Sequence, residues 1–279
     1  MKNNSLVVKS NAVIDASYRL SLNEQRLLLL CISQIKKGDV VSEQTEFNVK
    51  ASEFSEKFSV PLKTAYRELQ SIADRLYDRS ATIHNPDPEK PNITHLKTRW
   101  ISSIMYAGNG QLTLGFAAHM IPYISLLEGR FTRYSIEAIA GMSSTYGMRF
   151  YELMKKWQTE TGVKKNRYEI ELEELKEILD LKNKYQAIKD FKKYVLEPAM
   201  NDIKNCTDLI ASYTQRKTGR RVSHLIFTFN VDEQIKIKLE GGGSKKRIIT
   251  TSYIEKHARP GESYEQAEKR LKEGAKKQK

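Results

Sequence analysis

Residues 182–222 hold ten basic side chains against four acidic ones, a local charge of +6 by 10 − 4. They fall into two groups. Lys184, Lys189, Lys192 and Lys193 are interleaved with Gln186, Asp190 and Tyr194, while Arg216, Lys217, Arg220 and Arg221 surround Gly219. Cations at this density neutralise phosphates and release the counterions condensed on a polyanion. Gln, Lys and Asp side chains can also exchange hydrogen bonds with base edges, and a tyrosine ring can meet a thymine methyl. Asp190 has two readings. A carboxylate repels phosphates, so it either accepts a hydrogen bond from cytosine or orients Lys193 through an ion pair. A lysine-rich face is also what an ordinary solvated surface looks like, and only its concentration on two neighbouring segments favours the binding reading.

The first group needs a helix and the second a hairpin. Ile188, Phe191, Val195, Ala199 and Ile203 repeat at helical spacing and predict one long helix over residues 185–205. At roughly 100° per residue, this buries Phe191 and Val195. Gln186, Asp190, Lys193 and Tyr194 then point outward, with Lys189 at the border. Residues 209–213 and 222–229 predict strands joined by a basic tip at 215–221. A helix carrying Phe150, Leu153, Met154 and Trp157, a short strand at 168–170 and a short helix at 171–181 come before them. Ser143 and Ser144 stand at a helix start, as plain caps or as a phosphate site built from backbone amides.

The same order occurs earlier in the chain. Ser21 and Glu24 have capping-box spacing and open a helix over residues 22–36. A strand at 47–50, a short helix at 52–58 and a strongly amphipathic helix from Pro61 through Leu76 follow. One strand through Leu96, Thr98, Trp100, Ile104 and Tyr106, a Gly108-Asn109-Gly110 turn and a return strand then make a hairpin. Residues 85–92 carry three prolines and read as a loop. The expected fold is α+β, two tandem winged-helix domains, each with a helix-turn-helix core and a β-hairpin wing. Their bounds are 1–125 and 126–232, with a connecting region at 121–141. A Gly241-Gly242-Gly243-Ser244 linker and a basic tail complete the chain in 233–279, with one helix at 264–273.

The whole chain of 279 residues is itself basic, with 47 Lys and Arg against 34 Asp and Glu, a net +13. Its longest apolar run, residues 27–32, is far short of the ~20 residues a spanning helix needs. Residues 1–10 show no secretory pattern, so a cytoplasmic protein is expected. The two cysteines, Cys31 and Cys206, exclude a disulfide framework or a four-cysteine zinc site and read as core fillers. No phosphate-binding Gly-x-x-x-x-Gly-Lys-Ser/Thr loop is present, and the five histidines never form His-x-His or His-Glu-x-x-His. Neither ATP hydrolysis nor metal-dependent strand cleavage is supported, and no metal or cofactor is expected.

Certain motifs carry a family resemblance. They are Phe131-Thr132-Arg133-Tyr134, then Tyr146-Gly147-Met148-Arg149-Phe150-Tyr151-Glu152, then Tyr185-Gln186 with Asp190-Phe191-Lys192-Lys193, and Phe227-Thr228-Phe229. Asn11-Ala12, the run from Leu20 to Arg26, and the tail from Tyr253 to Tyr264 add to them. Together they resemble the iteron-binding plasmid initiators of the Rep_3 family over nearly the whole chain. The resemblance implies a bacterial replication initiator. Its monomer would bind directly repeated origin sequences, and its dimer would repress its own gene at an inverted repeat. The N-terminal module would mainly dimerise, and the C-terminal module would read DNA, with Arg133 and Arg149 joining the contact residues. A host initiator and a replicative helicase are implied partners, and no membrane. The reading helix departs from that pattern in carrying lysine where relatives are richer in arginine, and lysine lacks the fork that grips guanine. A winged-helix transcription regulator is the alternative, and a rolling-circle nicking enzyme a weaker one.

Overall fold

The computed structural model describes residues 6–36, 38–87, 89–125, 130–160, 166–231, 235–239 and 245–249, with 266, 269 and 270. The chain opens with β1 (Leu6–Ser10) and the short α1 (Asn11–Asp15), neither of which local sequence signals announce. α2 (Leu22–Ile32) then starts at the Ser21/Glu24 capping box as expected, with both reciprocal hydrogen bonds in place. It stops at Ile32 rather than near residue 36. Ser33 turns its hydroxyl onto the Leu30 carbonyl at 2.8 Å, a local alternative to a further helical turn.

β2 (Phe47–Lys50), α3 (Ala51–Phe58) and α4 (Leu62–Tyr77) match their expected places. The single strand read through residues 96–106 is two. β3 (Ser80–His84) pairs with β4 (His95–Arg99), and β5 (Ile101–Gly108) pairs with β6 (Gln111–Phe116), which also pairs with β2. Trp100 is the corner between them. Its amide donates to the Arg79 carbonyl at 3.3 Å, its carbonyl accepts from Ala117 at 3.2 Å, and its buried ring meets Tyr18 edge-on at 4.9 Å. A 3₁₀ turn (Ala118–Tyr123) leads out of this first winged helix.

The expected connecting region at 121–141 contains β7 (Phe131–Ser135) and α5 (Glu137–Ala140). The second winged helix follows with α6 (Thr145–Glu160), β8 (Arg167–Glu171) and α7 (Leu172–Ile178). It continues with α8 (Ile188–Phe191), a π-helical turn (Lys192–Leu196), α9 (Glu197–Cys206), β9 (Leu209–Thr218) and β10 (Arg221–Val231), and its sheet runs β8-β10-β9. β11 (Ile235–Leu239) and β12 (Lys245–Ile249) pair antiparallel on either side of the expected linker, in a stretch where no strand was expected. The glycine run itself, and all but three residues of the expected tail helix, lie outside the described residues. Among the described residues no helix is long and apolar enough to cross a membrane.

A sheet crosses the boundary expected at residue 125. β1 pairs antiparallel with β7, Val7 opposite Tyr134 and Lys9 opposite Thr132. α1 lies on α6, and the core is continuous from Val7 and Ile14 through Phe150 to Phe227. Beneath this strap lies a buried charge cluster. Lys9 Nζ donates to Glu152 at 2.7 Å, the Tyr134 hydroxyl donates to the same carboxylate, and Arg149 lies 3.5 Å from it. Burial alone would raise the Glu152 carboxyl, but Lys9 and Arg149 outweigh it and hold the group below its ordinary range.

A carboxyl with a depressed folded-state pKa contributes stability above its unfolded pKa and loses it as pH falls through the folded value. Lys9→Ala leaves Glu152 buried with one fewer cation and is expected to cost about 3 kcal/mol near neutrality. The deficit should shrink as pH falls through and below the ordinary carboxylate range, where Glu152 takes up a proton. Urea melts of both chains across pH check this, and a pH-independent deficit contradicts it.

Candidate nucleic-acid interface

The reading helix is shorter than its sequence pattern predicts. Tyr185 adopts a left-handed conformation with φ +51°, and α8 begins only at Ile188. Lys184 and Gln186 therefore sit in the turn before the helix, both exposed, with the Gln186 amide donating to the Lys182 carbonyl at 3.4 Å. Phe191, Val195, Leu196, Ala199 and Ile203 are buried beneath the helix. Lys189, Asp190, Lys193 and Tyr194 are exposed, and Lys192 is half-buried.

Tyr194 packs on Tyr185 rather than on the wing, with ring centroids 5.9 Å apart and planes 27° from parallel. Lys193 Nζ lies 5.0 Å from the Tyr194 ring, within cation–π range. Burial and the neighbouring Tyr185 push the Tyr146 phenol up to about 12. The Asp190 carboxylate has no hydrogen-bond or ion-pair partner among the described residues, and the ion pair with Lys193 is not formed. An acceptor is left free on an otherwise cationic face.

The wing turns at Gly219 (φ +61°) and Arg220, a tighter tip than residues 215–221. Lys217, Arg220 and Arg221 are exposed there. Arg216 is already engaged, its Nε donating to Glu169 of β8 at 2.5 Å and drawing that carboxyl below its ordinary range. The wing is thus braced to its own sheet, while the three cations at the tip extend beyond it. α9 packs on β9, which sets the reading helix beside this hairpin.

Three expected contact sites are elsewhere or already in use. Arg149 is buried at 2% exposure. It donates to the carbonyls of Ile14 at 3.1 Å, Ala16 at 3.1 Å and Ile178 at 3.2 Å, and to the Tyr18 hydroxyl, whose ring it covers at 3.8 Å. A phosphate cannot reach it without prising the two modules apart. The amides of Ser143 and Ser144 donate to Asp202 at 3.0 and 2.6 Å, and the Ser143 hydroxyl at 2.9 Å. The anion at this helix start is therefore the protein's own buried carboxylate. Arg133 is exposed on β7, apart from reading helix and wing in the chain's layout.

Asp202 was not anticipated, and neither was the need for Gly147. A Cβ on Gly147 would stand 2.6 Å from Asp202 Oδ2 and 2.8 Å from its Cβ, so glycine is what lets α6 and α9 approach.

Residues 6–155 match the family described as "Initiator Replication protein, WH1", and residues 171–229 match "Initiator Rep protein, WH2". A replication initiation protein of Escherichia coli is 25% identical over 260 residues, covering 89% of this chain and 80% of that protein. An uncharacterized 27.6 kDa protein of the same organism is 24% identical over 236 residues, covering 79% and 93% respectively. Among solved structures, the Pi initiator protein in complex with iteron DNA superposes with a TM-score of 0.69 and 26% identity, over 84% of this chain and 100% of that one.

Asp202→Ala strips three donors of their acceptor and is expected to cost about 2 kcal/mol. Gly147→Ala should destabilise through the same contact. In a double-mutant cycle read by chemical denaturation, the two losses together should fall short of their sum. Full additivity would mean that Gly147 and Asp202 act separately.

Proposed function

We propose, for a chain that belongs to the initiator replication protein family, that it starts plasmid replication by binding directly repeated origin sequences as a monomer. Its dimer represses its own gene at an inverted repeat. The observation that carries this is the exposed face of Lys189, Asp190, Lys193 and Tyr194, with the exposed Lys217, Arg220 and Arg221 tip on the same winged helix, whose solved relative is bound to iteron DNA. Reading helix and wing divide the work. The helix enters the major groove, where Lys193 donates to guanine or a phosphate and Asp190 accepts from cytosine. The tip follows the backbone or the minor groove and fixes register.

The work is binding and distortion of duplex DNA, without a catalytic step, in the bacterial cytoplasm. A host initiator and a replicative helicase are the partners recruited once the repeats are filled. Selection of bound duplexes from a random pool tests the proposal. Tandem copies of one short sequence are expected, whereas a single palindrome would make the protein a winged-helix regulator, and no selected sequence would remove the reading altogether.

Lys193→Ala and Asp190→Ala should each change preference at one base pair, by roughly 1 to 3 kcal/mol. Arg220→Ala should weaken all sequences alike and reduce the salt slope by about one phosphate contact. Equal losses on specific and random duplexes for the two helix variants would contradict the assignment of this helix.

A further inference from the structure

His84 and His95 belong to no ligand motif in the sequence, and the register of one hairpin puts them face to face. His84 closes β3, His95 opens β4, and the two are paired across the strands. Residues directly opposite each other on antiparallel strands share one face of the sheet. Here that face is solvent, and both imidazoles are exposed, whereas Ala81 and Ile83 are buried on the other. The pair is also of the close kind. The Asn85 amide donates to the Thr94 carbonyl at 2.8 Å, and Thr82 exchanges two 2.9 Å hydrogen bonds with Ser17, away from β4. Alternation between these points leaves His84 and His95 as a non-hydrogen-bonded pair, the kind with Cα atoms about 4.5 Å apart and side chains nearest.

Ser17 fixes which nitrogen of His84 carries the lone pair. Its hydroxyl donates to the Glu177 carbonyl at 2.6 Å, so its single proton is spent. His84 Nε2 lies 3.1 Å from the same oxygen and must supply the proton of that contact, which leaves the lone pair on Nδ1. An imidazole that gives one N–H to an oxygen of its own protein and keeps a lone pair on the other nitrogen is prepared as metal-bound histidines are. His95 Nδ1 lies 3.0 Å from the Thr94 hydroxyl, and its Nε2 has no protein partner among the described residues.

The surroundings favour a cation. His84 lines a cavity of about 280 Å³ together with Asp15, Lys156, Glu174 and Glu177, three carboxylates against one ammonium. Lys156 is bound to Asp15 at 2.6 Å, and Lys182 engages Glu177 at 2.9 Å. Glu174 has no such cation: burial and the neighbouring Asp15, Glu171 and Glu177 raise its carboxyl, which marks negative charge that is under-compensated. Nitrogen donors disfavour magnesium and calcium, which take oxygen, and suit zinc, nickel and copper.

We propose that His84 and His95 form a two-histidine site for a divalent transition ion, zinc, nickel or copper, with Ser17 as the positioning residue of His84. No group of three or more ligating side chains gathers among the described residues, so the pair supplies two positions of the ion and water the others. The site stands where the ribbon of the first module meets α7 of the second, since Ser17 reaches the Glu177 carbonyl there. A bound ion draws charge from the His84 ring and strengthens its N–H donation to Ser17, so occupancy is felt at that junction. The site does not depend on the DNA reading.

The untagged full chain is titrated with zinc, nickel or copper(II) chloride by calorimetry, with magnesium chloride as control, and the copper(II) complex is examined by electron resonance. Binding of the transition ions but not of magnesium is expected, with copper(II) split by two nitrogens. His84→Asn and His95→Asn should each weaken binding at least about ten-fold and remove one nitrogen from the spectrum, while His119→Asn should change neither. Ser17→Ala should also weaken binding by about ten-fold but keep both nitrogens. The ion should raise the melting temperature of the unmodified chain and not that of His95→Asn, an exposed substitution that serves if His84→Asn does not fold. The proposal is overturned if the unmodified chain binds none of the three ions, if binding survives both histidine substitutions, or if the spectrum shows a single nitrogen.

Discussion

One buried guanidinium ties the two winged helices together. Arg149 rises from α6 into a space closed by Ala16, Tyr18 and Ile178, and spends its terminal nitrogens on carbonyls from both halves of the chain. A buried cation is costly unless its donors are matched, and matched donors of fixed geometry tolerate little displacement. Only Nε of Arg149 lacks a partner. Glu152, one turn along, collects Lys9, Tyr134 and Arg149 around a single carboxylate. The N-terminal strap is thereby fastened to α6 by charge as well as by the pairing of β1 with β7.

The consequence reaches the reading face through α6. The amides at its start donate to Asp202 of α9, and Gly147 lets the two helices come close enough for that contact. α9 carries the rest of the reading helix, and β9 lies against it. From Lys9 to Tyr194 there is an unbroken series of packed or hydrogen-bonded neighbours, which gives a basic surface on the second module a defined relation to the first. Two modules held in this way can meet one duplex together, whereas two modules on a loose tether would each lose orientational freedom on binding.

Local signals exposed most of each module. The apolar period of α4, the Ser21 capping box, the Gly108-Asn109-Gly110 turn and the paired strands of the wing all depend on residues a few positions apart, and the chain folds there as its pattern predicts. What was illegible depends on distance. β1 is a strand only because β7 lies beside it, more than a hundred residues later. Arg149 sits in a motif whose family resemblance implies DNA contact, and only its burial shows that its donors face the protein's own carbonyls. Ser143 and Ser144 read as donors awaiting an anion, and the anion comes from Asp202, 59 residues away. The π-helical turn at Lys192–Leu196 was illegible because Ile188, Phe191, Val195, Ala199 and Ile203 keep helical spacing straight through it. Asp190, Lys193 and Tyr194 face solvent as the local helical period alone predicts.

Whether the strap and its charge cluster hold the modules as one body is open to direct measurement. Spin labels at Gln70→Cys on α4 and Ser212→Cys on β9, both exposed positions, report the distance between modules by pulsed electron resonance. A single narrow distance is expected in the otherwise unmodified chain, broadening when Arg149→Met removes the shared guanidinium. A broad distribution at the outset, or a narrow one indifferent to Arg149, would contradict it.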